Sequence, residues 1–496
     1  MSQIEIARAT AAQRAAAQPN ISSWVTANAG SGKTSVLTNR VARVLLNGTP
    51  PARILCLTYT KAAAAEMQNR LFAQLGTWSM LPDVELAAAL AKLGVTDTTP
   101  EFLADARRLF ARALETPGGL KIQTIHAFCE SLLRRFPLEA GLSPNFDLLD
   151  DHAAALLRTA VLDDMALGDD AAAFAALASL SGQIDDLLPA ILRHQDLFDA
   201  PAIRTTLAQA LDIPPDIDDE GILYQAMQGF SDAEIDWLAA QLSGGGTTEV
   251  KAAQALTTMP KVPTTEALDL FLGGFLTQKG LRPKTGLPTV KTKAISGVEP
   301  LLDRFCEAAE QAAETRKRLA ALNRGIALHD FAYAFLAQYR AAKSLRQKLD
   351  FDDLIRHASA LLNQSEMAEW VLFRLDGGID HILIDEAQDT SPAQWQIFTK
   401  LAEEILAGDG ARSDGRTLFV VGDVKQSIFS FQGADPASFT TIEAEFAARL
   451  AQRQTPLQQA SLLHSFRTAA PILSLVDAVF ADADLGTGTA HIPAFP

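Results

Sequence analysis

Cysteine is scarce. The 496-residue chain has three, Cys56, Cys129 and Cys306, far apart and without CxxC spacing, so neither a disulfide framework nor a zinc cluster is expected. No apolar run approaches the ~18 residues a spanning helix needs, which argues against a membrane protein. Positive charge is also short: 43 Lys and Arg against 59 Asp and Glu give a formal charge of −16. Overall basicity therefore does not hold nucleic acid here, although a local basic groove on an acidic body stays open. Internal repeats and low-complexity tracts are missing. The Ala-rich first residues have no uninterrupted apolar core and carry Glu5, so they read as an ordinary first helix rather than a targeting peptide. What remains is a soluble, helix-rich protein of the reducing cytoplasm, long enough for two to four domains at ~100–200 residues each.

What is present is organised around Ala27-Asn28-Ala29-Gly30-Ser31-Gly32-Lys33-Thr34-Ser35. A short apolar strand, Ser23 to Thr26, precedes it, and apolar residues at helical spacing follow it as far as Leu46. Strand, small-residue turn and helix form the context of a phosphate-binding loop. Gly30 and Gly32 let the backbone approach an anion, Lys33 reaches the β- and γ-phosphates of ATP, and Thr34 offers a hydroxyl to Mg2+. The helix adds its positive N-terminal end.

Far downstream comes His381-Ile382-Leu383-Ile384-Asp385-Glu386-Ala387-Gln388-Asp389-Thr390. An apolar strand ending in Asp-Glu places Asp385 to hold Mg2+ and Glu386 to polarise an attacking water. Strand-helix alternation fills the first ~148 residues, stops, and resumes near Leu349. The domains expected are residues 1–148 and 339–455, two parts of one α/β domain with a parallel sheet; 149–338, a helical insertion; and 456–496, the start of a second domain. Within the insertion, residues 277–297 carry Lys279, Arg282, Lys284, Lys291 and Lys293 and no acid. A DNA-backbone contact and a solvated loop both fit that composition.

The string Phe419 to Asp435, with GDVKQSI and GAD, resembles the third motif of superfamily 1 DNA helicases. LTYTKAAAAEM (57–67) is similar to their Ia motif, TIHAF (124–128) to Ib and SFRT (465–468) to IV. The wording GDVKQSIFSFQGAD, LDFDDL near Asp350 and FLTQKGLRPK resemble the AddA-type subunit of bacterial helicase-nucleases, which process double-strand breaks for recombination.

That resemblance implies a RecA-like fold and ATP-driven 3′ to 5′ movement on single-stranded and duplex DNA, with an AddB-type second subunit. It implies that Gln426 and Arg467 sense the γ-phosphate, that Phe466 stacks on adenine and that Gln13 reads the adenine edge. Tyr59, Phe429 and Phe431 would stack on bases, which grips a strand without sequence preference. Thr58, Thr60, Thr124 and His126 would hold phosphates or sugars.

Ala27 stands in place of the usual first glycine, and Ser430 and Gln432 stand where many relatives have arginine. Nothing resembles motifs V and VI or a nuclease domain, so the expectation is the front part of a longer polypeptide. Two other readings remain open: a switch or remodelling NTPase that binds no single strand, and a fragment that binds ATP and DNA without turnover.

Overall fold

The computed structural model describes residues 3–180, 184, 186–258, 264–283, 287–363, 368–376, 378–407, 415–427 and 435–480. Phe429, Ser430, Phe431 and Gln432 lie outside them.

Six short strands, β1 (Ser23–Ala27), β2 (Ile54–Thr58), β3 (Lys121–Thr124), β6 (His381–Ile384), β7 (Thr417–Gly422) and β8 (Gln458–Leu462), form one sheet. Their order is β3-β2-β6-β7-β1-β8, and every pairing is parallel. β2, β6 and β7 are buried at every residue, as expected for parallel strands covered by helices on both faces.

Alternate side chains divide between two cores. Trp24, Leu57, Ile382, Ile384, Leu418 and Val420 face one, with Phe128, Leu354, Trp395 and Phe446 from helices Ile125–Arg135, Phe351–Asn363, Pro392–Ala407 and Pro436–Gln452. Val25, Cys56, Leu383, Phe419 and Val421 face the other, under helices Lys33–Leu46, Lys61–Met80 and Pro100–Leu114. Each fully buried Leu, Val or Phe contributes about 1.5–3 kcal/mol.

Because all six strands run the same way, their C-terminal ends share one edge, where open parallel sheets bind ligands. The phosphate loop, Tyr59, Ile125, Asp385, Asp423 and Leu463 each follow directly on one of those ends. Residues 456–462, expected to open a second motor domain, instead add β8 to this sheet, with Val25 paired to Val421 on one side and Ala460 on the other. The alternation of side chains was too short there to tell a new sheet from one more strand.

The chain forms two compact units, residues 1–154 with 344–496 and residues 155–343. In the first unit, β4 (Asp147–Leu148) and β5 (Lys348–Leu349) pair in parallel, and Lys348 Nζ bonds Asp147 Oδ2 at 2.9 Å. The points where the chain leaves and re-enters the first unit are thereby joined. Asp350 then caps the helix Phe351–Asn363, its carboxylate accepting from the Asp353 N–H at 2.9 Å while Asp353 returns the bond at 3.1 Å.

The second unit is helical around Phe271, Phe275, Leu302 and Phe305, with Phe230 stacked on Phe305 at 3.9 Å between ring centroids. Two residues of the basic stretch pair with acids outside it: Arg282 with Asp303, and Lys293 with Glu299 at 2.6 Å. Glu249 is wholly buried and accepts from the N–H groups of Gly246 (2.8 Å) and Thr289 (2.7 Å) and from Thr289 Oγ1 (3.1 Å). Burial would push its carboxyl up, but hydrogen bonds from Thr289, Thr292 and Gly246 outweigh it and hold the carboxyl below its ordinary value.

Candidate functional site

The turn between β1 and the helix Lys33–Leu46 is shaped by two left-handed glycines. Gly30 has φ 75° and Gly32 φ 88°, where a side chain is strained. Space is also short: a Cβ on Gly32 would lie 2.8 Å from Gln13 Nε2 and displace that amide, and one on Gly30 would lie 2.7 Å from Arg467 Cβ and from Ser465 Oγ. Neighbouring elements therefore close over the loop backbone. Gln13 Nε2 donates to the Ser31 carbonyl at 2.8 Å, and the Phe466 N–H to the Gly30 carbonyl at 2.9 Å.

Gln13, Ser31, Leu462, His464 and Phe466 line one cavity of about 230 Å3, with Phe466 half exposed. The structure thus brings together the two residues expected to read adenine. Arg467 follows with its side chain exposed.

Ala27 ends β1 fully buried, and Ala29 is exposed at the turn. Lys33, Thr34 and Ser35 form the first turn of a helix whose start carries no acid, so its positive end is uncompensated by its own side chains. Among the described residues, the buried Ser31 Oγ and Asn28 Nδ2 have no hydrogen-bond partner. Two idle polar atoms inside a glycine-shaped cradle fit a phosphate ligand, because buried polar groups are otherwise satisfied.

Lys33 Nζ makes an ion pair with Glu386 Oε2, joining residues 353 positions apart in sequence. Glu386 sits just past β6 in the left-handed region, φ 51° and ψ 43°. That backbone is costly for a residue with a side chain and typical of functional turns.

Asp385, 6% exposed, accepts one bond from the Glu386 N–H at 3.0 Å. Burial first, and the neighbouring Glu386 charge second, push its carboxyl up to about 6. Asp389 is likewise pushed up to about 6 by burial and then by Glu386. A hydroxyl and a poorly compensated carboxylate beside a phosphate cradle are the hard oxygen donors Mg2+ takes when it also binds phosphates. The residues present therefore fit Mg2+ with ATP.

At the end of β7, Asp423 organises the following turn. Its carboxylate accepts from the Lys425 N–H at 3.2 Å and from the Gln426 amide, while Lys425 Nζ reaches Asn28 Oδ1 in the phosphate loop.

The residues expected to touch DNA follow the ends of β2 and β3. Tyr59 is half-buried, and its hydroxyl is pushed up by burial and by the Asp389 charge. Thr60 caps the helix Lys61–Met80 and Thr124 the helix Ile125–Arg135, accepting from Ala63 N at 3.1 Å and Ala127 N at 3.2 Å. Thr58 and Thr124 are buried, and the Thr58 hydroxyl bonds the Thr60 carbonyl at 3.1 Å. His126 sets its ring against Phe351, 5.5 Å between centroids, and burial followed by Lys61 lowers its pKa. Phe429 and Phe431 lie outside the described residues. Sequence reasoning missed Gln388 and Lys425; their only signal was position, inside the DEAQD and GDVKQ strings.

The sequence matches the family described as UvrD/REP helicase N-terminal domain over residues 9–447. It is 29% identical over 455 residues to the AddA subunit of the ATP-dependent helicase/nuclease of Exiguobacterium sibiricum, covering 84% of this chain and 35% of that protein. To the protein of the same name from Levilactobacillus brevis it is 29% identical over 512 residues, covering 94% and 38%. To that of Desulforudis audaxviator it is 28% identical over 501 residues, covering 92% and 38%. The chain thus spans 35–38% of the length of these curated relatives.

Proposed function

The chain belongs to the UvrD/REP helicase family, and from that premise we propose that it is the ATP-hydrolysing motor of a 3′ to 5′ DNA helicase-nuclease that serves double-strand break repair and recombination. Its partner would be an AddB-type second subunit, its track single-stranded DNA drawn from a duplex, and its compartment the cytoplasm. The observation that carries the reading is the meeting of Lys33 and Glu386 beside the Gln13 and Phe466 cavity, four residues from widely separated stretches converging on one glycine-shaped loop.

In this reading Ala27 to Ser35 wrap the phosphates, Lys33 neutralises the β- and γ-phosphates, and Phe466 and Gln13 hold adenine. Thr34 and Asp385 would hold Mg2+, which when bound draws charge from the phosphate oxygens. Glu386 orients the attacking water and takes its proton. In the structure described, its carboxylate is engaged by Lys33. A γ-phosphate competing for the Lys33 ammonium releases that carboxylate toward water, so the base is freed when substrate arrives. Gln426 and Arg467 sense the γ-phosphate, and Tyr59, Phe429 and Phe431 grip bases.

The test is ATP hydrolysis with and without single-stranded DNA, beside Lys33→Ala. DNA-stimulated turnover lost in Lys33→Ala is the expected result. Nucleotide binding with negligible turnover under both conditions would instead mean that the chain binds without working.

A further inference from the structure

One buried side chain joins the Glu386 carboxylate to the turn that follows β7. Gln388 is 1% exposed. Its Nε2 donates to Glu386 Oε2 at 2.9 Å and to Asp389 Oδ2 at 3.0 Å. Its Oε1 accepts from the Asp423 N–H at 2.8 Å, and its carbonyl accepts from Ser427 Oγ at 3.2 Å. A side-chain amide donates at one end and accepts at the other, so it can tie a carboxylate on one strand end to a backbone N–H on the next.

The fit has little slack. A Cβ on Gly422 would lie 2.8 Å from Gln388 Oε1 and 2.8 Å from the Phe439 ring. The Asp423–Ser427 turn runs in sequence directly into Phe429 and Phe431, and Asp389, the amide's other acceptor, is felt electrostatically at Tyr59. Both stretches proposed to grip bases thus lead to the same amide.

We propose that Gln388 is a positioning residue that links the DNA-gripping turn to Glu386, so that a strand bound beyond Ser427 re-aims the carboxylate that handles the attacking water. A shift of the Asp423 N–H moves the amide oxygen, the amide nitrogen follows, and the Glu386 carboxylate is turned away from Lys33 or returned to it. This rests on the motor reading above.

The experiment compares the wild type with Gln388→Met and Gln388→Glu in steady-state ATP hydrolysis, with and without an oligo-dT strand, and in binding of a fluorescent ATP analogue. Met keeps the length of the side chain without the amide. Glu keeps the acceptor for the Asp423 N–H; ionised it repels Glu386 and Asp389, and protonated it has a single O–H and can donate to only one of them, so the double tie of the amide is lost. The expected result is a KM for ATP within about threefold of wild type and a DNA stimulation ratio reduced about tenfold or more in both variants.

A residue of merely structural importance would lower kcat with and without DNA in the same proportion. An unchanged ratio beside a stimulated wild type overturns the link alone. A wild type whose turnover ignores DNA overturns the motor reading and the link with it. If Gln388→Met does not fold, Gln388→Glu carries the test, since it keeps the bond to Asp423.

Discussion

Two buried carboxylates, one in each unit, have opposite surroundings. Glu249 in the helical unit receives bonds from Gly246 and Thr289, with Thr292 adding to them, and its carboxyl is held below the ordinary value. Asp385 in the motor unit is nearly as buried, receives one bond from its neighbour's N–H, and is pushed up to about 6. A buried charge that the fold satisfies is a clasp. A buried charge that the fold leaves short of donors is held ready for something that arrives later, which in the present proposal is Mg2+.

The comparison breaks most visibly in turnover. Asp385→Asn is expected to lower ATP hydrolysis about 10³-fold, and Glu386→Gln about 10²–10⁴-fold with ATP binding retained, while Glu249→Gln leaves kcat within about twofold. Coupled-assay kinetics on the three variants checks this; a turnover loss in Glu249→Gln would collapse the distinction.

Stability should invert the ranking. Glu249→Gln keeps the side chain's length but replaces an acceptor-only carboxylate with an amide facing N–H and O–H donors, so we expect its Tm to fall by about 6–10 °C. Asp385→Asn removes an uncompensated charge and should raise Tm by about 2–5 °C in chelator. Differential scanning calorimetry reads both. A drop in Asp385→Asn would mean the carboxylate is already satisfied.

The pH slopes sharpen the contrast further. Asp385 has a folded pKa of about 6, above its ordinary 3.8, so its unfavourable charge is absent below about pH 4 and fully present above about 6. Its contribution therefore erodes stability as pH rises through that window. Glu249, lowered from 4.5, contributes stability that is present above that value and lost as pH falls through its folded pKa. Denaturant midpoints in chelator from pH 3 to 7 should show Asp385→Asn flattening the upper window and Glu249→Gln the lower.

The smallest effect belongs to an exposed pair. Arg70→Ala, which removes a surface contact to Glu66, should change stability by no more than about 0.5 kcal/mol.

The motor unit was legible where chemistry leaves short, ordered strings at strand ends. The parallel sheet, the glycine turn and the Asp-Glu turn all lie where such strings place them, because each needs a fixed spacing between a strand and the backbone that follows it. Elsewhere the pattern was shared by more than one structure. Thr60 and Thr124 read as contacts for DNA, and their hydroxyls cap helices. Residues 277–297 read as either a DNA-backbone contact or a solvated loop, and the composition gave no sign that Arg282 and Lys293 find Asp303 and Glu299 beyond the stretch. Glu249 carried no signal at all, since its donors at Gly246 and Thr289 lie on either side of a helix pair and only the fold brings them to one carboxylate. The pairing of β4 with β5 was invisible for the same reason, two residues being too few to announce a strand.

The position of β1 bears on how such a chain is made. The strand that leads into the phosphate loop emerges early, yet both of its sheet neighbours, β7 and β8, lie between residues 417 and 462. At roughly 5–20 residues per second, a ribosome needs on the order of half a minute to supply them. Through that interval Trp24 and Val25 have no lateral partner, and the nucleotide cradle cannot exist. Until then the strand ahead of the glycine turn lacks the neighbours it has in the folded sheet, and chaperones would meet its apolar side chains uncovered.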